Sequence, residues 1–149
     1  MFKLRFAPLL LLAALAACTP EVNLPDPPTV AGTAGVYEPV RFKTFSSQGT
    51  VDVLAAGGSV RLVLNADGTT SGAIRIPEGV LPGVPARDVS LDGKWSIQNR
   101  DWVHLELPDA AAPLTAERYV VRQGQLLGTE TVNEGTTNVT AFEIALARP

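Results

Sequence analysis

The chain has 149 residues, 46% hydrophobic and 18% charged, with a formal net charge of −3. That length suits one domain rather than several. A nearly balanced charge with no basic block argues against nucleic acid as a partner, and a single cysteine, Cys18, leaves no intrachain disulfide.

The chain opens with Lys3 and Arg5, followed by an almost unbroken apolar run from Phe6 to Ala17. A bilayer core needs roughly 20 apolar residues, so this run fits the h-region of a secretory signal peptide instead. Leu15-Ala16-Ala17-Cys18 resembles the lipobox of bacterial lipoproteins. The resemblance implies cleavage before Cys18 and a diacylglyceryl group on its thiol. It predicts a signal peptide over 1–17 and a protein held in the cell envelope by a lipid anchor. Two or more acyl chains anchor a protein far more firmly than one. Thr19 stands where an Asp retains enterobacterial lipoproteins at the inner membrane. The expected place is therefore the periplasmic face of the outer membrane, or the cell surface. Of the 12 basic residues, loss of Lys3 and Arg5 leaves 10 against 15 acidic ones, a net −5.

Residues 18–34 follow as the lipidated cysteine and its tether. Pro20, Pro25, Pro27 and Pro28 disfavour regular hydrogen bonding and hold the backbone extended. At about 3.1 Å per residue this segment spans up to roughly 50 Å.

From residue 35 to 149 the pattern is that of short strands. Tyr37 to Phe45 is predicted to open the domain, with a short strand near Val51 to Leu54. Ser59 to Asn65 sets Val60, Leu62 and Leu64 on one face, and Asn65-Ala66-Asp67-Gly68 supplies a turn. Thr69 to Ile76 returns with Ile74 and Ile76 on one side. Pro77 to Arg87 is the longest internal loop expected. Lys94 to Gln98 turns Trp95 and Ile97 inward. After Asn99-Arg100-Asp101, Trp102 to Leu107 opposes Val103, Leu105 and Leu107 to Trp102, His104 and Glu106. Pro108 to Pro113 reads as a second loop. Ala116 to Arg122 and Gln125 to Val132 flank a two-residue Gln123-Gly124 turn suited to a hairpin. Thr136 to Ala147 ends the domain, with Phe142, Ile144 and Leu146 on one face. Seven to nine strands and no amphipathic helix predict an all-β fold, a single antiparallel barrel or otherwise a β-sandwich.

Three segments carry a resemblance to lipocalin-like small bacterial β-barrels: GVYEP at Gly35–Pro39, LVLNADGTTSG at Leu62–Gly72 and LDGKWSIQNRDWVHLEL at Leu91–Leu107. It implies a barrel that can hold a small apolar ligand. In size and tether the chain also resembles the periplasmic lysozyme-inhibitor lipoproteins. Their inhibitory Ser-Gly-aromatic is matched only as Ser71-Gly72, with Ala73-Ile74 following.

Chemistry-bearing residues are few. His104, the sole histidine, shares a strand face with Glu106. A metal site wants three or four ligands, and no Cys or second His can join them. Asp67-Gly68 and Asp92-Gly93 lack the acidic ladder of a calcium loop and read as turn formers. There is no Gly-x-Ser-x-Gly elbow and no phosphate-binding glycine loop. No catalytic residue, metal or cofactor is expected. Trp102, with His104 beside it, is the candidate contact residue for a ligand or partner. The expected role is a membrane-anchored binding or structural module for a small apolar ligand or an envelope protein. Inhibition of an envelope hydrolase is the alternative, and an enzyme is the less favoured class.

Cys18→Ser is expected to abolish lipidation. Metabolic labelling with a fatty-acid probe checks this, and label retained on the Cys18→Ser chain contradicts the lipobox assignment.

Overall fold

The computed structural model describes residues 26–81, 85–108, 116, 118–132 and 140–149. One helical turn, α1 (Val30–Thr33), precedes ten strands: β1 (Gly35–Ser46), β2 (Gly49–Asp52), β3 (Ser59–Leu64), β4 (Thr69–Ile76), β5 (Arg87–Ser90), β6 (Gly93–Gln98), β7 (Trp102–Glu106), β8 (Arg118–Arg122), β9 (Gln125–Val132) and β10 (Thr140–Ala147). All pairings are antiparallel. The order β1-β3-β4-β6-β7-β8-β9-β10 closes on itself through β10–β1, giving an eight-stranded barrel. The strands β2 and β5 lie outside the ring, on β1 and β4. The barrel expectation therefore holds and the sandwich does not.

The closing ladder runs from Glu38↔Ala147 to Ser46↔Thr140, with a register shift at Val40 between Pro39 and Arg41. This shift decides which side chains enter the core. Tyr37 and Phe42 differ by an odd number of positions, so regular alternation would set them on opposite faces. The extra residue turns both inward, at 2% and 1% exposure. It also turns Arg41 outward, where its guanidinium pairs with Glu143.

Alternation elsewhere fills the barrel. Val60, Leu62 and Leu64 of β3, Ile74 and Ile76 of β4, Trp95 of β6, Val103 and Leu105 of β7, Tyr119 of β8, Leu126 of β9 and Phe142, Ile144 and Leu146 of β10 join one buried cluster. Ile97 and Leu107, expected inside, are half-buried against its edge. The Phe42 and Phe142 rings meet edge to face, with centroids 5.9 Å apart. Gly128 leaves room for the Tyr119 ring. A Cβ there would lie 2.8 Å from the Tyr119 ring and 2.6 Å from the Ala116 Cβ. At one end Val53, Val80 and Leu81 are also buried, and Thr44 Oγ1 donates to the Val80 carbonyl at 3.3 Å.

Most expected strands are present. Arg87–Ser90, unassigned in the sequence, is β5. Of the last expected strand, 136–139 lies outside the described residues, as does 109–113 of the second loop.

Leu64→Ala is expected to cost about 2–5 kcal/mol, the range for truncation in a packed core. Gly128→Ala should cost about 1–3 kcal/mol through overpacking against Tyr119. Urea unfolding of each variant checks both. A Gly128→Ala chain as stable as the wild type contradicts the assigned Tyr119 packing.

Candidate functional site

In an antiparallel barrel, alternate turns share an end. The turns after β6 and β8 lie at the end where β1 begins. The β6–β7 turn has positive φ at Asn99 (46°) and Arg100 (74°). The β8–β9 turn has Gln123 (49°) and Gly124 (78°), the pattern of a two-residue type I′ hairpin. Val121 N–H of β8 donates to the Asp101 carbonyl at 2.9 Å and fastens the β6–β7 turn to that strand. Asn tolerates the left-handed conformation, whereas Arg adopts it rarely. Arg100 is thus held in an uncommon backbone geometry at the rim of this end.

The N-terminal segment lies across the same end. Thr29 caps α1, its hydroxyl accepting from Gly32 N–H at 3.0 Å. One turn of helix has little stability alone, and contacts with the barrel fasten this one. The buried Tyr37 hydroxyl donates to the Thr33 carbonyl at 2.7 Å. Arg148 donates to the carbonyls of Gly32 at 2.6 Å and Ala34 at 2.9 Å. Its guanidinium also stands 5.4 Å from the Tyr37 ring centroid. The last residues of the predicted tether are therefore attached to the barrel end.

Between this segment and the two turns runs a cleft of about 790 Å³. Pro27, Pro28, Tyr37 and Val121 contribute apolar walls, and Arg100, Arg122, Arg148, Asp26 and Asp101 contribute charge. Asp101 pairs with Arg122 at 3.5 Å. Arg100 has no ion-pair or hydrogen-bond partner among the described residues.

The residues singled out from the sequence lie elsewhere, on the outer wall. Trp102, 36% exposed, faces Val120, which faces Leu127 on the next strand. These three line a shallow groove with Arg118, Thr129 and Glu130. His104 stands between Ser96 and Arg118 on the same face. Its Nδ1 is buried without a hydrogen-bond partner among the described residues. Glu106 is exposed. No group of three or more His, Cys, Asp or Glu among the described residues could hold a metal ion. The two Asp-Gly pairs act in turns. The Thr69 hydroxyl donates to Asp67 Oδ1 at 2.6 Å and the Thr69 N–H at 2.9 Å, and together they hold the Asp67 carboxyl below its usual value. A lowered folded-state pKa gives a contribution present at neutral pH and lost as pH falls through that value. Asp92 accepts from the Ser90 hydroxyl at 2.6 Å.

The outer wall also carries Arg41, Lys43, Arg61, Arg75 and Glu143. A polar outside around an apolar inside is the reverse of a membrane-spanning barrel. Comparisons with protein-family profiles, with characterised proteins and with solved structures find no match for this chain.

Arg148→Met should loosen α1 without opening the barrel. Amide exchange at Thr33 and Ala34 is expected to accelerate by roughly tenfold, the scale of one lost charged hydrogen bond. The Leu62 and Leu126 amides should keep their protection. Trp102→Ala should destabilise the protein less than Leu64→Ala. An equal loss in urea unfolding would mean that Trp102 acts as a core residue.

Proposed function

We propose that this chain is a lipid-anchored envelope lipoprotein with a lipocalin-like barrel. It serves as a binding module for a small, partly apolar molecule taken up at the barrel end. The observation that carries the binding site is the cleft. Its volume of about 790 Å³ falls within the roughly 300–1,000 Å³ typical of small-molecule sites. Its walls combine apolar surface with a few charged groups, the usual composition of such sites. The barrel interior supports this location indirectly, because inward side chains from every ring strand occupy it. An eight-stranded barrel is just wide enough for side chains to fill. The anchoring and envelope location rest on the lipobox and the apolar leader that precedes it.

A second reading places a protein partner, such as an envelope hydrolase, on the outer wall. The Trp102–Val120–Leu127 row favours it, since an exposed Trp beside aliphatic neighbours is a common contact element.

Amide chemical shifts of the unlipidated Cys18→Ser chain, titrated with neutral N-phenyl-1-naphthylamine, separate these sites. Shifts are expected at Gly32, Asp101, Val121 and Gly124. Pro28→Trp, which fills the cleft, should abolish them. Shifts centred on Trp102 and Leu127, or no shifts at all, would overturn the assignment of the cleft.

A further inference from the structure

We infer that the cleft takes a single-chain amphiphile with an anionic head, the head at Arg100 and Arg122 and the chain along Val121 and the Pro27–Pro28 wall. This inference rests on the cleft being the binding site and adds the chemistry of what it holds.

Charge gives the first part. Three guanidinium groups border the cleft against two carboxylates, Asp26 and Asp101. Arg148 is committed to the carbonyls of Gly32 and Ala34. Arg122 meets Asp101 through one long 3.5 Å contact, with 62% of the Arg122 side chain exposed. Arg100 has no ion-pair or hydrogen-bond partner among the described residues, yet sits at φ 74°, a costly conformation for an arginine. Arg100 on the β6–β7 turn and Arg122 at the end of β8 both line the cleft and can therefore turn toward one anionic group. A planar guanidinium binds carboxylate or phosphate oxygens in bidentate fashion.

The walls give the second part. Behind the charged rim, Pro27, Pro28 and Val121 offer aliphatic surface, and a wholly polar anion would leave it wet. A charged head joined to a hydrocarbon chain satisfies both regions.

Position gives the third part. Asp26 lines the cleft, and Cys18 stands eight residues before it. At no more than about 3.6 Å per extended residue, the lipidated cysteine lies within roughly 29 Å. The cleft is then held close to the bilayer, where single-chain amphiphiles concentrate. A flat membrane surface fits less well as the occupant. The turn tips carry Asn99, Arg100, Gln123 and Gly124, with none of the Trp, Phe or Leu that insert at an interface.

The test uses the full lipidated chain in phosphatidylcholine vesicles. Each preparation contains one photoactivatable probe: palmitate, lysophosphatidylglycerol or neutral monoacylglycerol. Cross-linked peptides are then mapped by mass spectrometry. Both anionic probes, or one of them, should label residues 26–33, 99–101 and 121–124 well above the neutral probe. Labelling by one alone identifies carboxylate or phosphate as the head. Arg100→Gln should lower anionic labelling about fivefold, the scale of one guanidinium–headgroup contact, and leave thermal stability unchanged. Arg61→Gln, outside the cleft, should leave the labelling as it was. Equal labelling of the cleft by all three probes would overturn the anionic head and keep the cleft as a binding site. Labelling confined to the outer wall, or none, would overturn both. Vesicle flotation of the unlipidated Cys18→Ser chain that needs anionic diacyl lipid and Arg100 would replace the amphiphile with a membrane surface.

Discussion

The barrel depends on one irregularity, the extra residue at Val40 in β1. This strand pairs with β3 through Gly35–Tyr37, with β10 through Glu38–Ser46 and with β2 through Lys43–Ser46. It is therefore the strand on which the ring closes. Without the shift, either Tyr37 or Phe42 would face water, and Arg41 would enter the core when Phe42 left it. A one-residue slip exchanges the two faces of a strand, and burying an unpaired guanidinium costs far more than a core aromatic returns. The bulge lets one strand supply Tyr37 to the end bearing α1 and Phe42 to the middle of the core. Strong local twist at a bulge also suits a strand that must serve two neighbours and close a curved sheet.

Closure has a functional consequence. A closed ring leaves few free edges, and β2 and β5 are the short exceptions. Its interior is occupied by Tyr119, Phe42, Phe142, Trp95 and their aliphatic neighbours. Gly128 shows how close that packing is, because even one methyl group would strike the Tyr119 ring. On the proposed reading, binding chemistry is thus carried by the barrel end. The end is built from turns whose geometry the closed ladder fixes on either side. The β6–β7 turn is fastened to the end of β8 by the Val121–Asp101 hydrogen bond, so the backbones of Arg100 and Arg122 are placed by the scaffold.

The strands were legible because alternation is a local signal. Val60-Arg61-Leu62-Val63-Leu64 and Trp102 to Leu107 state their inner faces outright, and Gln123-Gly124 states its turn. The strand β5 was not legible. Val89 is the lone apolar residue among Arg87-Asp88-Val89-Ser90, and the segment is extended because β4 offers it a ladder. The helical turn α1 was hidden for a similar reason. It contains Gly32 and follows a proline pair, and a partner from 116 positions further along the chain holds it. Val40 could have been suspected, since Tyr37 and Phe42 break parity within one apolar run. Trp102 and His104 were legible as outward residues from that same parity. The cleft was not, because it joins 26–33, 99–101, 121–124 and Arg148. One sign was available: an up-and-down barrel brings alternate hairpin turns to one end, which sets Arg100 and the strand-end Arg122 at the same rim.

On the proposed reading the N-terminal segment links anchor and site. It follows Cys18 in the chain, and its residues 26–33 form one wall of the cleft. Its attachment is small: the Tyr37 hydroxyl and the Arg148 guanidinium hold it through three carbonyls. Such contacts are worth a few kcal/mol together once their exposure is counted, well below the stability of the barrel ladder that carries them. Detachment of the segment and opening of the cleft are then one event. On the proposed reading, a ligand that touches Pro27 and Pro28 binds only the docked state, and so stabilises docking in proportion to its occupancy. Linkage makes the converse hold with the same coupling free energy. Whatever keeps the segment docked, including a slack tether, raises affinity, and tension along residues 18–25 lowers it. If residues 18–25 tether the barrel to a membrane, as proposed, the cleft is thereby tuned by the distance between the two.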